Sequence, residues 1–189
     1  MQRQLLFTLC FCIALSPAAL AQTDIDMIHS AMSAALPTIA AHATIMDWEN
    51  NVLREGTNGW TCFPDMPHMD GENPMCLDEQ WVRWLNAYVK QEAPDIDAFG
   101  LGYMLQGDAP QSNTDPYPEG PTADNEWMEK VEPHVMLLLP DPEMYEGMPV
   151  DPESGGAWVM WRDTPFVHVM IPAPRRQRDA DAEKREIDY

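Results

Sequence analysis

His134-Val135-Met136-Leu137-Leu138-Leu139 and Phe166-Val167-His168-Val169-Met170-Ile171 both carry the tripeptide His-Val-Met inside an apolar run. Runs of this length, rich in Val, Leu, Ile and Phe and bounded by Pro and Asp, predict strands. Alternate side chains of a strand share a face. Val135, Leu137 and Leu139 fall on one face, as do Val167, Val169 and Ile171, and these faces read as core. The opposite face carries His134, Met136, His168 and Met170. Neighbouring strands in register bring these two imidazoles and two thioethers together. Thioether sulfur favours Cu(I) and imidazole accepts either copper state, so the set suits copper. The plainer reading is a second sheet face covered by a helix, with its histidines satisfied by hydrogen bonds.

Working outward, Ala157–Trp161 reads as a third strand, joined to 166–171 through the tight link Arg162-Asp163-Thr164-Pro165. Phe99–Gln106 is a strand containing Gly100 and Gly102. Thr44–Met46 and Val52–Arg54 pair around the turn Glu49-Asn50-Asn51, and Gly59–Phe63 adds another strand. The clearest helix runs over Glu79–Gln91 behind the cap Asp78. Trp81, Trp84, Leu85 and Tyr88 form its apolar face, and Leu77 with Val82 stands at hydrophobic-staple positions. A first helix runs from the cap Thr23 to about Leu36, with the stripe Ile25, Ile28, Met32 and Leu36, and Pro37 stops it. The sum is α+β: a small antiparallel sheet with two helices packed on one face, long ordered loops and one disulfide.

Residues 1–21 read as a secretory signal peptide. Arg3 supplies the charge, Leu5–Leu15 the apolar core, and Ala19-Leu20-Ala21 the small-residue cleavage pattern. The expected organisation is a signal peptide at 1–21, a single α+β domain at 22–172 and a mobile charged tail at 173–189. The protein is then exported, periplasmic or secreted, with no membrane association after processing. Cys10 and Cys12 leave with the leader. Cys62 and Cys76 remain, and in an oxidising compartment they form one disulfide. Closing a loop of about 15 residues stabilises by about 3 kcal/mol on the chain-entropy model.

The chain carries 11 Lys+Arg against 31 Asp+Glu, a net charge of −20. Such a surface repels phosphate backbones, so nucleic acid is excluded as a partner. It is compatible with cations, and acidity also keeps exported proteins soluble.

Residues 107–133 form a long loop holding Pro110, Pro116, Pro118 and Pro121, and Thr122–Glu126 can cap a single helical turn. Loops of this length inside a domain are often functional. Asp108, Asn113, Asp115, Asp124, Asn125 and Glu126 are oxygen donors of the type calcium takes, without the EF-hand spacing. The same residue types make turns through their own backbone. A second soft-donor cluster, Met66-Pro67-His68-Met69 with Met75 following, lies between the two cysteines. Met is also an ordinary gap filler in cores. No Gly-x-Ser-x-Gly elbow, Gly-rich phosphate loop or His-Glu-x-x-His helix occurs. A hydrolase would have to use loop carboxylates such as Asp115 with Glu126.

The blocks Gly59-Trp60-Thr61-Cys62, Ser112-Asn113-Thr114-Asp115-Pro116, Asp124-Asn125-Glu126-Trp127 and Gly155-Gly156-Ala157-Trp158-Val159-Met160-Trp161 resemble those of an uncharacterised family of small exported bacterial proteins. The resemblance implies an exported bacterial domain and no particular activity. The leading expectation is a non-catalytic domain that binds a small ligand or protein partner through the 107–133 loop and nearby aromatics: Asn113, Asp115, Asn125, Trp127, Trp158 and Trp161. The alternatives are a copper-binding protein using His134, Met136, His168 and Met170 or Met66, His68 and Met69, and a hydrolase using loop carboxylates.

Overall fold

The computed structural model describes residues 17–175. Residues 1–16 of the expected leader and 176–189 of the expected tail lie outside the described residues. The fold is α+β. Eight strands form one sheet in the order β2 (Val52–Arg54), β1 (Thr44–Met46), β3 (Thr61–Phe63), β4 (Met75–Leu77), β5 (Gly100–Met104), β8 (His134–Leu138), β10 (His168–Pro172) and β9 (Trp158–Met160). A two-stranded ribbon, β6 (Gln111–Ser112) with β7 (Trp127–Met128), stands apart from it. The main sheet is antiparallel except where β1 pairs with β3 in parallel. That exception follows from connectivity: β2 occupies the outer edge of β1, so the chain returns to the inner edge in the same direction.

Helix α3 (Glu79–Lys90) forms as its sequence predicts. The Asp78 carboxylate accepts from the Trp81 N–H at 3.0 Å, and Gln91 closes the helix in the left-handed conformation. Asp78 also accepts from the Leu101 N–H at 2.5 Å, which ties the cap to β5. Helix α1 (Pro17–Ser33) differs from expectation. Thr23 lies inside it, as does the expected cleavage point after Ala21. Pro37 does not merely end a helix; it opens the short α2 (Pro37–Ala40), where its missing N–H costs nothing. Ile25 and Leu36, expected on the buried stripe, are exposed. The packed residues are Ile28, Ala31, Met32, Ala34 and Ala35, small enough to let the chain lie close on the sheet.

The helices also divide between the two sheet faces instead of sharing one. Alternation decides this. Ile45, Cys62, Cys76 and Tyr103 face α1, whereas Met46, Phe63, Leu77 and Met104 on the same strands face α3. The disulfide Cys62–Cys76 joins directly opposed residues of β3 and β4 under α1, with Cα atoms 3.9 Å apart. Past β5, the face away from α3 is covered by Tyr145, which packs on Val159 and Val169. The Tyr145 hydroxyl accepts from the Leu139 N–H at 2.9 Å, fixing that cover to β8.

Thr122–Glu126 is a bend without a helical turn. Its local hydrogen bonds are side-chain ones: Asn125 accepts from the Thr122 N–H and donates to the Gly120 carbonyl. Among the described residues no helix is long and apolar enough to cross a membrane.

Candidate functional site

The face of β8 and β10 that carries the histidines is the deeper one. His134 and Leu138 are 1 % exposed, Met136 6 % and His168 3 %, whereas Val135, Leu137 and Leu139 are only half-buried. On β8 the faces read as core and as second face are therefore exchanged in depth, whereas on β10 Val169, 1 % exposed, is as deep as Met170. The cause is α3, whose Trp81 and Trp84 cover the histidine face.

The register then sorts the donors. Met170 stands directly opposite Met136, but His134 faces Pro172, and His168 faces Met160 on β9. The two imidazoles sit at opposite ends of a diagonal with the two thioethers between them. The offset is four residues, so neither ring stands directly across from the other, and each has its own methionine neighbours. On its other side His134 faces Met104 of β5. Each histidine thus has a methionine directly across and another two residues along its own strand: Met104 and Met136 for His134, Met160 and Met170 for His168. In β5, Gly102 faces Met136. A Cβ there would stand 2.8 Å from Met136 Cε and 3.1 Å from a Leu77 methyl, so a larger residue would push the flexible end of Met136 aside.

These residues enclose a cavity of about 200 Å³. Seven methionines line it: Met66, Met69, Met75, Met104, Met136, Met160 and Met170. His134, His168, Trp81, Trp84, Trp161 and Tyr88 complete the wall, with Asp108 and Gln111. The two soft-donor clusters read from the sequence therefore meet in one place, apart from His68, which is exposed and outside the lining. Sequence reasoning missed Met104 and Met160. Their signal was present, since each sits at an inward position of a strand, but only the strand order brings them opposite the histidines.

The protonation of both rings follows from their partners. His134 Nδ1 lies 2.7 Å from the Glu132 carbonyl and His168 Nδ1 2.9 Å from the Phe166 carbonyl. A carbonyl oxygen only accepts, so each Nδ1 carries the proton and each Nε2 keeps its lone pair. Burial pushes both imidazoles down to about 4, so both are neutral at ordinary pH, and a charge on His134 further disfavours one on His168. His134 Nε2 has no hydrogen-bond partner, and neither do the indole N–H groups of Trp81 and Trp84. His168 is boxed edge-on by Trp81, Trp84 and Trp161, with ring centres 5.1–5.6 Å away. Among the described residues no three of His, Cys, Asp and Glu gather at a metal-binding distance. The donor set here is different in kind: imidazole and thioether.

Of the loop residues expected to bind a ligand, Asn113, Asp115 and Asn125 serve the loop's own structure, and the tryptophans line open surface or the cavity. Asn113 is buried, donating to Glu126 and the Val150 carbonyl and accepting from the Trp158 indole at 3.0 Å. It pins the loop to β9. Asp115 accepts from the Tyr117 N–H and Asn125 closes its own turn. Trp127 and Trp158 lie along an open groove with Glu126, Glu129, Glu132, Asp151 and Glu153. Only Trp161 reaches the cavity. Of the oxygen donors weighed for calcium, Asp108 accepts from Ala109 and Gln111 within its own turn, and Glu126 accepts from Asn113 across the loop. The cavity holds one carboxylate, Asp108, so it lacks the pair a glycosidase-type hydrolase needs.

Comparison with protein-family models, with curated proteins and with solved structures finds no match for this chain.

Proposed function

We propose that this is an exported, non-catalytic protein that holds a soft monovalent metal ion, Cu(I) in the first instance, in the cavity between α3 and the β5–β8–β10 sheet. The observation that carries this reading is His134 Nε2, a buried lone pair without a partner in a wall of methionines. Thioethers select Cu(I) and Ag(I) over Zn²⁺, Ca²⁺ and Mg²⁺, and a neutral imidazole completes a low-coordinate shell. His134, Met104 and Met136 are the first ligand set. His168, Met160 and Met170 repeat the arrangement at the other end of the diagonal. The backbone carbonyl on each Nδ1 fixes tautomer and ring orientation, as outer-shell partners of metal-bound histidines do. Met66 and Met69 line the wall from the disulfide loop, and Met69 is 44 % exposed, which suits a soft donor at the mouth.

The leader pattern, the cysteine pair and the family resemblance support export to an oxidising compartment of a bacterium. There Cys thiolates are lost to disulfides, so methionine is the soft ligand left for copper.

The test is an anaerobic titration of the chain lacking residues 1–21 with Cu(I) in competition with a chromophoric Cu(I) chelator, and with Ag(I) as a redox-inert stand-in. Stoichiometric binding that falls at least tenfold in His134→Ala and in Met136→Leu is expected. No binding, or binding unchanged in both variants, overturns the reading.

A further inference from the structure

The cavity wall contains a single charged side chain, and the ligand sets named above do not use it. Asp108 lies in the segment after β5, where its N–H donates to the Val131 carbonyl at 3.0 Å. That bridge continues the pairing in which Met104 faces His134, so Asp108 stands beyond the His134 end of the donor rows. One carboxylate oxygen accepts from the Ala109 N–H and the other from the Gln111 side chain, both at 2.7 Å. Both donors are neutral. The ion pairs among the described residues join Arg83 to Asp95 and Asp97, Lys130 to Glu132 and Arg175 to Glu72; none includes Asp108. Arg175 borders the shallow outer hollow that Asp108 also lines, but its guanidinium is directed at Glu72 and Gln106. Asp108 is half-buried, with one side on the cavity and the other on the outer hollow, and partial desolvation raises its carboxyl to about 6.

A carboxylate so placed, hydrogen-bonded but without an ion-pair partner, is free to attract a cation into the cavity. The proposed ion has the complementary need. Imidazole and thioether are neutral, so Cu(I) or Ag(I) brings an unbalanced positive charge into a low-dielectric cavity. One carboxylate and one monovalent ion make the loaded cavity neutral.

We propose that Asp108 is the counter-charge of the metal cavity: a positioning residue, not a ligand, that fixes the occupant as a monocation and sets its affinity. This inference rests on the soft-metal reading of the same cavity. A neutral apolar guest would gain nothing from Asp108, whereas a cation in the cavity gains from a carboxylate in its wall.

The experiment compares wild type, Asp108→Asn and Asp108→Glu in the anaerobic Cu(I) and Ag(I) competition titrations. The Cu(II)/Cu(I) potential and the melting temperature of the metal-free protein are measured alongside. Asparagine keeps the shape and can still accept from Ala109. We expect Asp108→Asn to lose at least tenfold in affinity for both ions, to shift the potential positive, and to melt no lower than wild type. Glutamate restores most of the affinity. A merely structural residue would lower the melting temperature and leave the potential in place, and that pattern overturns the proposal. So does affinity within twofold of wild type, which leaves the soft-metal reading standing. Absence of wild-type binding removes both. If Asp108→Asn does not fold, Asp108→Ser is the second variant, and failure of both to fold makes Asp108 structural and the proposal wrong.

Discussion

The two faces of the central sheet solve the burial problem in opposite ways. Under α1, Ala31, Ala34, Ala35, Ala43, Ile45 and the Cys62–Cys76 disulfide pack as small apolar groups, each at 0 % exposure. Under α3, the same strands and their neighbours present long thioethers, imidazoles and indoles around a cavity, and three buried polar atoms there lack partners. A core selected only for stability closes its voids and satisfies its polar atoms. The α1 face packs with small apolar groups, and the unpartnered polar atom near it is the side-chain nitrogen of Asn73, a residue tied to α1 through Asp65 and Ser30. The α3 face keeps a cavity and three such atoms, and that difference is the argument for a binding site.

Substitutions should separate the faces. Ile45→Ala leaves a cavity under α1 and should destabilise by about 2–5 kcal/mol, with Cu(I) affinity of the folded protein unchanged. Replacing both Cys62 and Cys76 with Ser should cost about 3 kcal/mol, read by denaturant unfolding. On the other face, Met104→Leu and Met136→Leu conserve volume and should each cost less than about 1.5 kcal/mol, while removing at least tenfold in Cu(I) affinity. Large losses of stability there with intact metal binding would break the comparison.

Acid should act on the α3 face through its two buried histidines. Both histidines sit near 4 in the fold against 6.5 when exposed. The unfolded chain therefore takes up protons first as pH falls. Their contribution is intact above about 6.5, falls as pH drops and is exhausted near 4. Asp108 works the other way, because its raised carboxyl takes a proton in the fold before the unfolded chain does, returning part of the loss below about 6. His134→Gln with His168→Gln should flatten the decline between 6.5 and 4, measured by unfolding at a series of pH values. The smallest effect belongs to the loop. Asp115→Ala should change stability by no more than about 1 kcal/mol and leave metal affinity alone, since its carboxylate serves only a local turn.

What was legible in the sequence was local. The Asp78 cap, the amphipathic α3, the β9–β10 hairpin and the pairing of Cys62 with Cys76 each depend on residues close together in the chain, and each stands as read. The inward alternation of His134 with Met136 and of His168 with Met170 was also legible, because period two fixes faces. Long-range order was not. Nothing in Phe99–Gln106 says that β5 lies beside β8, so Met104 could not be placed opposite His134. Register was equally hidden: identical tripeptides suggested aligned histidines, whereas antiparallel pairing opposes the methionines and offsets the histidines by four residues. The parallel β1–β3 contact, the division of helices between faces and the exchange of depth between the faces of β8 arise from the same missing information.

Copper K-edge absorption on protein loaded anaerobically with one equivalent of Cu(I) tests the central claim most directly. The account predicts a low-coordinate shell containing both sulfur and imidazole nitrogen, with the imidazole component lost in His134→Ala and sulfur reduced in Met104→Leu with Met136→Leu. A shell of oxygen or nitrogen alone, or one indifferent to those substitutions, would contradict it.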